Sequence, residues 1–380
     1  MAIDVQAVIL AGGKGTRLRP ITDELPKPLV PVANRPLILH QLAHLARAGV
    51  RDVTLALGYA AEAFAGVERD AADLGIALNV ITEPAPLGTG GALRWCADEG
   101  AFDPDRPLLW LNGDVIAAPD VAALTETHLD RGSRVTFWLT SVRDVREFGV
   151  LELGSDGFVE RFLEKPMPDE TDSHLVNAGI VMLEPRVIDR IPPDSFFSFE
   201  KQLLPGMVRE REPVFGRFDG GYWKDTGRPL DYRKANRHVL EGRVDWEPAG
   251  ERVAAGLWVG DGVKRDGVDL IQPAAIGDDT VLEEGARLFG RTVLGRRCRV
   301  DRGAELDGCV LFDDVVVERN ASIIDSVVCR GARIERGAVV HGAIIGNDTV
   351  VGPANEIREA RLGPGLTVPP EALLVDQQRR

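Results

Sequence analysis

Glycines and cations alternate near the start of this chain in a pattern suited to a polyanion. The stretch Val8-Ile9-Leu10-Ala11-Gly12-Gly13-Lys14-Gly15-Thr16-Arg17-Leu18-Arg19-Pro20 is followed by Leu25-Pro26-Lys27-Pro28-Leu29. An apolar run ending in Gly12, Gly13 and Gly15 can turn sharply and bring main-chain N–H groups close to a ligand. Amides of this kind beside Arg17 and Lys27 make a phosphate cradle, and the expectation is a nucleoside triphosphate site. Two better-known phosphate loops do not fit. A Walker loop sets its Lys between a glycine and Ser or Thr, whereas Lys14 precedes Gly15-Thr16. A dinucleotide fingerprint needs a further glycine opening a helix, whereas Gly13-Lys14-Gly15 runs on to Arg17, Leu18 and Pro20. The competing reading is a glycine turn without a ligand, which leaves the two nearby cations unexplained.

Elements of two kinds must hold these residues. Val5–Leu10, Val53–Leu57, Leu78–Thr82, Leu108–Leu111, Val135–Thr140 and Ile180–Leu183 are strand-like runs, and segments around 36–48, 89–99 and 119–131 are helix-like. This alternation over residues 1–240 predicts an α/β domain with a mixed, mostly parallel, Rossmann-like sheet. Ligands of such sheets sit beyond the carboxyl ends of the strands; the Gly12 loop, Glu83 and Asp114 all follow strand-like runs. Asp114 also suits a turn or a cap on its own account. Gly88-Thr89-Gly90-Gly91 opens a helix, either with its N-terminus available to the ligand or capped by Thr89.

From about residue 255 the texture changes. Ile276, Leu282, Leu288, Leu294, Val300 and Leu306 recur every six residues; the spacing slips to five at Leu311 and resumes at Val317. Val328, Ile334, Val340, Ile345, Val351 and Ile357 continue the series. A six-residue period marks a hexapeptide β-helix, three hexads to a triangular coil. The expected division is a catalytic domain over 1–240, a linker over 241–255 containing Pro248 and Gly250, and a β-helix over 256–380. Flat coil faces suit stacking between subunits, so a homo-oligomer joined through the β-helix is expected, with deletion of 256–380 altering assembly more than chemistry.

Composition narrows the function. Hydrophobic residues make up 44% of the chain and charged residues 27%, an ordinary soluble composition. A net charge of −14 argues against nonspecific nucleic-acid binding, which needs a basic face. Cys96, Cys298, Cys309 and Cys329 lack disulfide or metal-ligand spacing and suit free thiols in a reducing compartment. No apolar run reaches the ~18 residues of a membrane span, and the N-terminus lacks a signal pattern; a cytoplasmic protein without a membrane partner is expected. His40 and His44 stand at helical i, i+4 spacing with no third ligand, which favours packing over a metal site. Trp110, Trp138 and Trp258 suit packing positions.

Seven segments of residues 1–240, namely LAGGKGTRLRP, LPKPLVPVANRPLI, EPAPLGTGGAL, LNGDV, LEKP, VNAGI and GYWKDTGRPLDYRKAN, resemble those of the sugar-1-phosphate nucleotidylyltransferases, the mannose-1-phosphate guanylyltransferase branch above all. The hexads resemble the left-handed β-helix that many members carry. The resemblance implies attack by a sugar-1-phosphate oxygen on the α-phosphorus of a nucleoside triphosphate, GTP in that branch, with pyrophosphate leaving. Arg17 and Lys27 would serve the triphosphate, and Asp114 and Asp225 would hold Mg²⁺. The nucleotide would lie against Leu10, Ala11, Gly12, Gly13, Gly15, Thr16, Arg17, Glu83 and Gly88. Gly149, Glu164, Lys165 and Asn177 would meet the sugar phosphate, although Glu-Lys-Pro by itself is an ordinary surface turn. Phe148 stands where the family often has Tyr and Thr226 where it has a β-branched aliphatic, which leaves the sugar open. Other readings are a glucose-1-phosphate thymidylyltransferase, a catalytically silent regulatory subunit, and a bifunctional enzyme whose β-helix transfers acyl groups with His341. The silent subunit fits poorly, since Arg17, Lys27, Asp114 and Asp225 are all present.

Overall fold

Short runs of Val, Ile, Leu and Ala that are apolar on both sides have to be buried on both faces, and the first half of the chain satisfies this with a central sheet. The computed structural model describes residues 4–58, 60–167 and 169–379. It forms two compact units: Met1–Gly13 with Gln41–Trp223, and Lys14–His40 with Lys224–Arg380.

In the first unit, Leu108–Asn112, Gln6–Leu10, Asp52–Leu57 and Ala77–Thr82 lie side by side in parallel. Val8, Leu55, Ala56 and Trp110 are fully buried between the layers on either side. Beyond Leu108–Asn112 the sheet turns antiparallel through Leu175–Leu183, Gly149–Leu153 and Val159–Glu164. Val135–Ser141 and Val214–Phe218 branch from Leu175–Leu183. The sheet is therefore mixed. Helices Leu37–Arg47, Gly88–Asp98 and Val121–Asp130 fall on the segments with helical pattern. The antiparallel strands that no periodicity marks are half exposed: Val159-Glu160-Arg161-Phe162-Leu163-Glu164 carries one buried residue.

In the second unit, sheets of nine, seven and six strands wind into a triangular parallel β-helix. Every hexad aliphatic from Ile276 to Ile357 is buried in its axis. The coil that starts at Ile276 places it opposite Leu294. Later coils are shorter by a single position, with Leu294 opposite Leu311 and Leu311 opposite Val328. The slip from six to five thus recurs once per coil, always at one corner. The residue left at that corner takes a left-handed φ: Gly308 +58°, Asp325 +51°, Gly342 +63°, Glu359 +48° and Asp376 +50°. Cys298, Cys309 and Cys329 are free and buried in this coil. Burial pushes the Cys298 and Cys309 thiols up to about 12, which keeps them unreactive near neutrality.

The glycine-loop segment Lys14–His40 belongs to this second unit and is tied into it. Asn34 and Ala33 both take positive φ, +67° and +48°. They close a tight hairpin between Pro31–Val32 and Arg35–Pro36, as the left-handed residues of such turns do. The Asn34 side-chain amide donates to the Leu294 carbonyl at 2.6 Å, and the Ala33 N–H donates to Asn236 Oδ1 at 2.7 Å. Tyr232, fully buried in the Pro229–Leu240 helix, donates to the Pro31 carbonyl. Glu24 receives the Asn347 amide at 2.7 Å and Arg330 at 3.4 Å. His40 stacks on Trp246 at 4.6 Å and reaches the Val32 carbonyl, a packing role.

These ties give the coil a role within the subunit, because it holds the loop that carries Arg17 and Lys27. Asn34→Ala combined with Asn347→Ala removes two hydrogen bonds, at about 1 kcal/mol each. Amide exchange across residues 14–40 is expected to quicken while the coil aliphatics keep their protection. Unchanged exchange in that segment would contradict the docking.

Candidate functional site

In the first unit the polar residues gather at the carboxyl ends of the parallel strands, where main-chain groups run out of ladder partners. After Leu10, the Ala11 N–H donates to the Ala56 carbonyl and the Leu10 carbonyl accepts from Gly113, both at 2.8 Å. Gly12 lies against Gly58, where an added Cβ would come within 2.8 Å of the Gly12 Cα. Two backbones cross there, so only glycine fits at position 58. Glu83 leaves the end of Ala77–Thr82 and is almost fully buried, with Oε1 3.3 Å from the position of a Cβ on Gly12. Its other oxygen accepts the Leu87 N–H at 3.1 Å. Burial raises the Glu83 carboxyl above its ordinary range, and the Leu87 hydrogen bond opposes part of that rise. Asp114 sits half-buried in the turn between Leu108–Asn112 and Val115–Ala117.

The second glycine loop differs from its expected role. Gly90 and Gly91 both donate their N–H groups to the Phe197 carbonyl, at 2.9 and 3.0 Å. A Cβ on Gly91 would stand 2.6 Å from the Ser195 carbonyl oxygen, and one on Gly88, whose φ is +75°, 2.8 Å from the Phe197 oxygen. These glycines admit the Ser195–Phe199 backbone, and the amides of Gly90 and Gly91 are already used. Nor does Thr89 cap the helix: its hydroxyl donates to Glu200 at 2.6 Å and accepts from the Phe199 N–H. Local pattern could not show this, since the partner segment lies far along the chain.

The residues expected to meet the sugar lie together in this unit. Gly149 and Glu164 are cross-strand partners, and a Cβ on Gly149 would meet the Phe162 ring at 2.7 Å and Glu164 Oε2 at 3.2 Å. Lys165 follows with φ +54°, its N–H donating to the Phe148 carbonyl at 3.0 Å. Burial, with Glu200 nearby, raises the Glu164 carboxyl above its ordinary range. Asn177 Oδ1 accepts the Gly179 N–H at 2.8 Å, which commits its oxygen to the main chain. An aromatic that sequence reasoning did not place in the site, Trp223, borders this group beside Phe148. Trp223 donates to the Ala178 carbonyl at 2.8 Å and meets Phe148 edge-on at 5.6 Å. The Gly-Tyr-Trp-Lys-Asp run carries the available signal, with Trp223 just ahead of Asp225.

In the second unit one carboxylate organises two cations. Gly15, at φ +59°, turns the chain into a short 3₁₀ segment, Thr16–Leu18, that carries Arg17. Lys27 opens another, Lys27–Leu29, and is 4% exposed. Asp225 Oδ1 accepts the Gly227 N–H at 2.7 Å and lies 3.6 Å from Lys27 Nζ, while Oδ2 lies 3.7 Å from Arg17 Nη2. The Arg17 pair is half exposed and contributes about 1 kcal/mol at most. The Lys27 pair is buried, and breaking such a pair from one side costs about 3–5 kcal/mol. Arg17 also lies over Gly227, where an added Cβ would come within 2.7 Å of Nη2.

Comparison with known proteins identifies the family of each domain. Residues 6–242 match the family model described as nucleotidyl transferase, and residues 260–357 the EIF2B subunit epsilon LbH, or left-handed β-helix, domain. A mannose-1-phosphate guanylyltransferase of Mycobacterium tuberculosis is 35% identical over 322 residues, which is 84% of this chain and 83% of that protein. A mannose-1-phosphate guanyltransferase of Schizosaccharomyces pombe is 40% identical over 60% of this chain and 62% of its own. The crystal structure of HddC from Yersinia pseudotuberculosis complexed with GMP-PN is similar at 30% identity and a TM-score of 0.52, covering 61% of this chain and 97% of that one.

Gly227→Ala tests the cation pair, because a methyl group there displaces the Arg17 guanidinium, the flexible end of a side chain, rather than main chain. The variant is expected to keep its Tm within a few degrees and to lose affinity for triphosphate by about tenfold. Unchanged triphosphate binding would mean that the placement of Arg17 does not matter.

Proposed function

The chain belongs to the nucleotidyl transferase family, and we propose that it transfers a guanylyl group from GTP to mannose 1-phosphate, giving GDP-mannose and pyrophosphate. The observation that carries this reading is the convergence of Lys27 and Arg17 on Asp225 in a chain that is similar to mannose-1-phosphate guanylyltransferases through both of its domains. In the reaction two polyanions must meet, and nucleotidyl transfer proceeds chiefly by positioning and charge stabilisation. Lys27 supplies a compact buried charge and Arg17 a planar fork for phosphate oxygens. A phosphate monoester, with its second pKa about 6, is largely dianionic near neutrality; it attacks the α-phosphorus without a general base from the protein.

Asp114 and Asp225 are the proposed Mg²⁺ ligands. Among the described residues no three His, Cys, Asp or Glu side chains gather. Magnesium, which is held by one or two carboxylates together with phosphate oxygens and water, fits that donor set. When bound, the ion neutralises charge between the phosphates. In the sugar pocket Glu164 accepts from sugar hydroxyls, Asn177 presents its amide N–H₂, and Lys165 meets the phosphate, with Gly149 leaving room for the Phe162 ring and the Glu164 carboxylate beside the sugar. Leu10, Ala11, Gly12, Gly13, Gly15 and Thr16 line the nucleotide, with Gly88 at the second loop.

Glu83 supports guanine as the base. The guanine Watson–Crick edge carries adjacent N1–H and N2–H₂ donors, which a carboxylate accepts together. Thymine offers one N–H between two carbonyl oxygens, which a carboxylate repels. This favours GTP over the thymidylyl alternative. Self-association through the β-helix is supported by its last coil, where Leu373 is 62% and Val375 50% exposed. They flank the buried Leu374 on one strand and so point outward from the coil. No helix among the described residues is long and apolar enough to cross a membrane, and on this reading the protein acts in the cytoplasm.

Pyrophosphate release across several triphosphates and sugar phosphates tests the reading. GTP with mannose 1-phosphate is expected to give the highest kcat/KM; a preference for dTTP with glucose 1-phosphate, or no turnover with any pair, overturns it. Asp225→Asn preserves the acceptor for Gly227 but removes the charge, and is expected to lower kcat by about 10²–10³-fold. Retained turnover would exclude the ligand role. Because the Glu83 carboxyl is raised, its charged form is lost as pH falls through a value above the ordinary range, and the KM for GTP is expected to climb on that acidic limb. Glu83→Gln is expected to abolish the limb and to narrow the GTP-over-dTTP preference by about 10–100-fold. A variant with the wild-type pH profile would remove Glu83 from base recognition.

A further inference from the structure

The recurring slip from six to five in the β-helix builds one wall of a second cavity. Its corner residues Asp325, Gly342, Glu359 and Asp376 face a space of about 750 Å³, and the other wall is Arg17 with the start of the Pro229–Leu240 helix, including Arg228 and Arg233. That volume is in the range of small-molecule sites. Arg361 of the next-to-last coil also lines it.

The charges in this space are unevenly engaged. Arg233 is 3.4 Å from Asp325, and His341 is 3.9 Å from Glu359, whose carboxylate lies over Gly342. Asp325 is therefore matched by a cation from within the wall, and Glu359 has His341 beside it. Arg17 pairs at a loose 3.7 Å with Asp225 and keeps half of its side chain exposed. Arg361 makes no ion pair with another described residue. Arginines presented this way, with planar forks, suit the oxygens of a phosphate ester, and the hydrogen-bonding groups of Asp376, Gln378 and His341 suit the hydroxyls of the ester's organic part.

We propose that this cavity binds a small phosphorylated metabolite and that its occupant competes for the Arg17 guanidinium. The inference rests on Arg17 serving the triphosphate. An anion held by Arg361 and Arg228 offers the Arg17 guanidinium a competing partner and draws it away from the nucleotide. The effect falls on the KM for nucleotide, whereas kcat and the KM for sugar phosphate stay unchanged. The cavity thereby links the β-helix to the reaction through a ligand.

The probes are inorganic phosphate and ribose 5-phosphate, titrated into the full-length protein and into Arg361→Ala, a residue outside the catalytic set. In the wild type, each probe at millimolar concentration is expected to raise Tm saturably and to raise the KM for GTP by about 3–10-fold. In Arg361→Ala the basal kcat/KM is expected to be unchanged, with the Tm shift and the KM effect reduced at least threefold. If phosphate alone acts, the occupant is a free anion and the hydroxyl-binding part of the site is wrong. Equal inhibition of wild type and variant means that the probes compete at the nucleotide site itself, which overturns the proposal. So does a Tm shift without any KM effect, or no shift at all. The Tm arm needs no turnover, so it still tests the cavity if the guanylyl-transfer reading fails.

Discussion

Bringing two polyanions into contact requires positive charge, and positive charge that is buried must itself be held in place. Asp225 meets that requirement in this chain. One of its oxygens is oriented by the Gly227 N–H and faces the buried Lys27; the other faces the half-exposed Arg17. Without the carboxylate, Lys27 would be a desolvated cation, a state that costs several kcal/mol. With it, the lysine charge is stable enough to remain buried while the looser, screened Arg17 pair can open. The difference in burial, 5% exposure of one side chain against 54% of the other, makes one cation an enclosed charge and the other an accessible fork.

Glycine is required in this chain for two distinct reasons. Gly15 is required by its backbone: at a φ of +59°, its neighbours Lys27 and Thr22 crowd the missing Cβ at 3.1 and 3.2 Å, and most side chains avoid that conformation in any case. Gly58 and Gly91 are required by space, because another main chain passes where a Cβ would stand. Both causes produce the same letter in a sequence. That is why the Gly88–Gly91 run reads as a ligand-binding turn although two of its amides are engaged by Phe197.

Much of the proposed site was legible because its pattern is local. Arg17 follows its glycine turn directly, Lys27 is framed by prolines, and the hexad period displays the coil axis. What could not be read depends on partners distant in sequence. The strand Val159–Glu164 has no apolar alternation, since its pairing with Gly149–Leu153 leaves most of it half exposed. Trp223 joins the Gly149–Glu164 group only through the Ala178 carbonyl and the Phe148 ring. The assignment of Lys14–His40 to the same unit as the coil rests on Asn34, Glu24 and Tyr232, polar or aromatic residues with many ordinary uses.

The slip from six to five also separates what a coil needs from what it can add. Burying aliphatics in the axis needs only a regular period. The longer coil from Ile276 satisfies it with Leu288-Phe289-Gly290-Arg291-Thr292-Val293-Leu294 at the corner, where Arg291 already turns at φ +70°. Later coils drop one residue there and keep a left-handed φ, at Asp325, Glu359 and Asp376 as well as at glycines. A non-glycine residue in that conformation is strained by about 1 kcal/mol or more. Glycine at all of these corners would relieve the strain. The acidic residues at three of them instead place carboxylates along one edge, opposite Arg17, Arg228 and Arg233. That edge lines the same cavity as Arg17, so the turn that closes each coil also sets carboxylates facing a guanidinium.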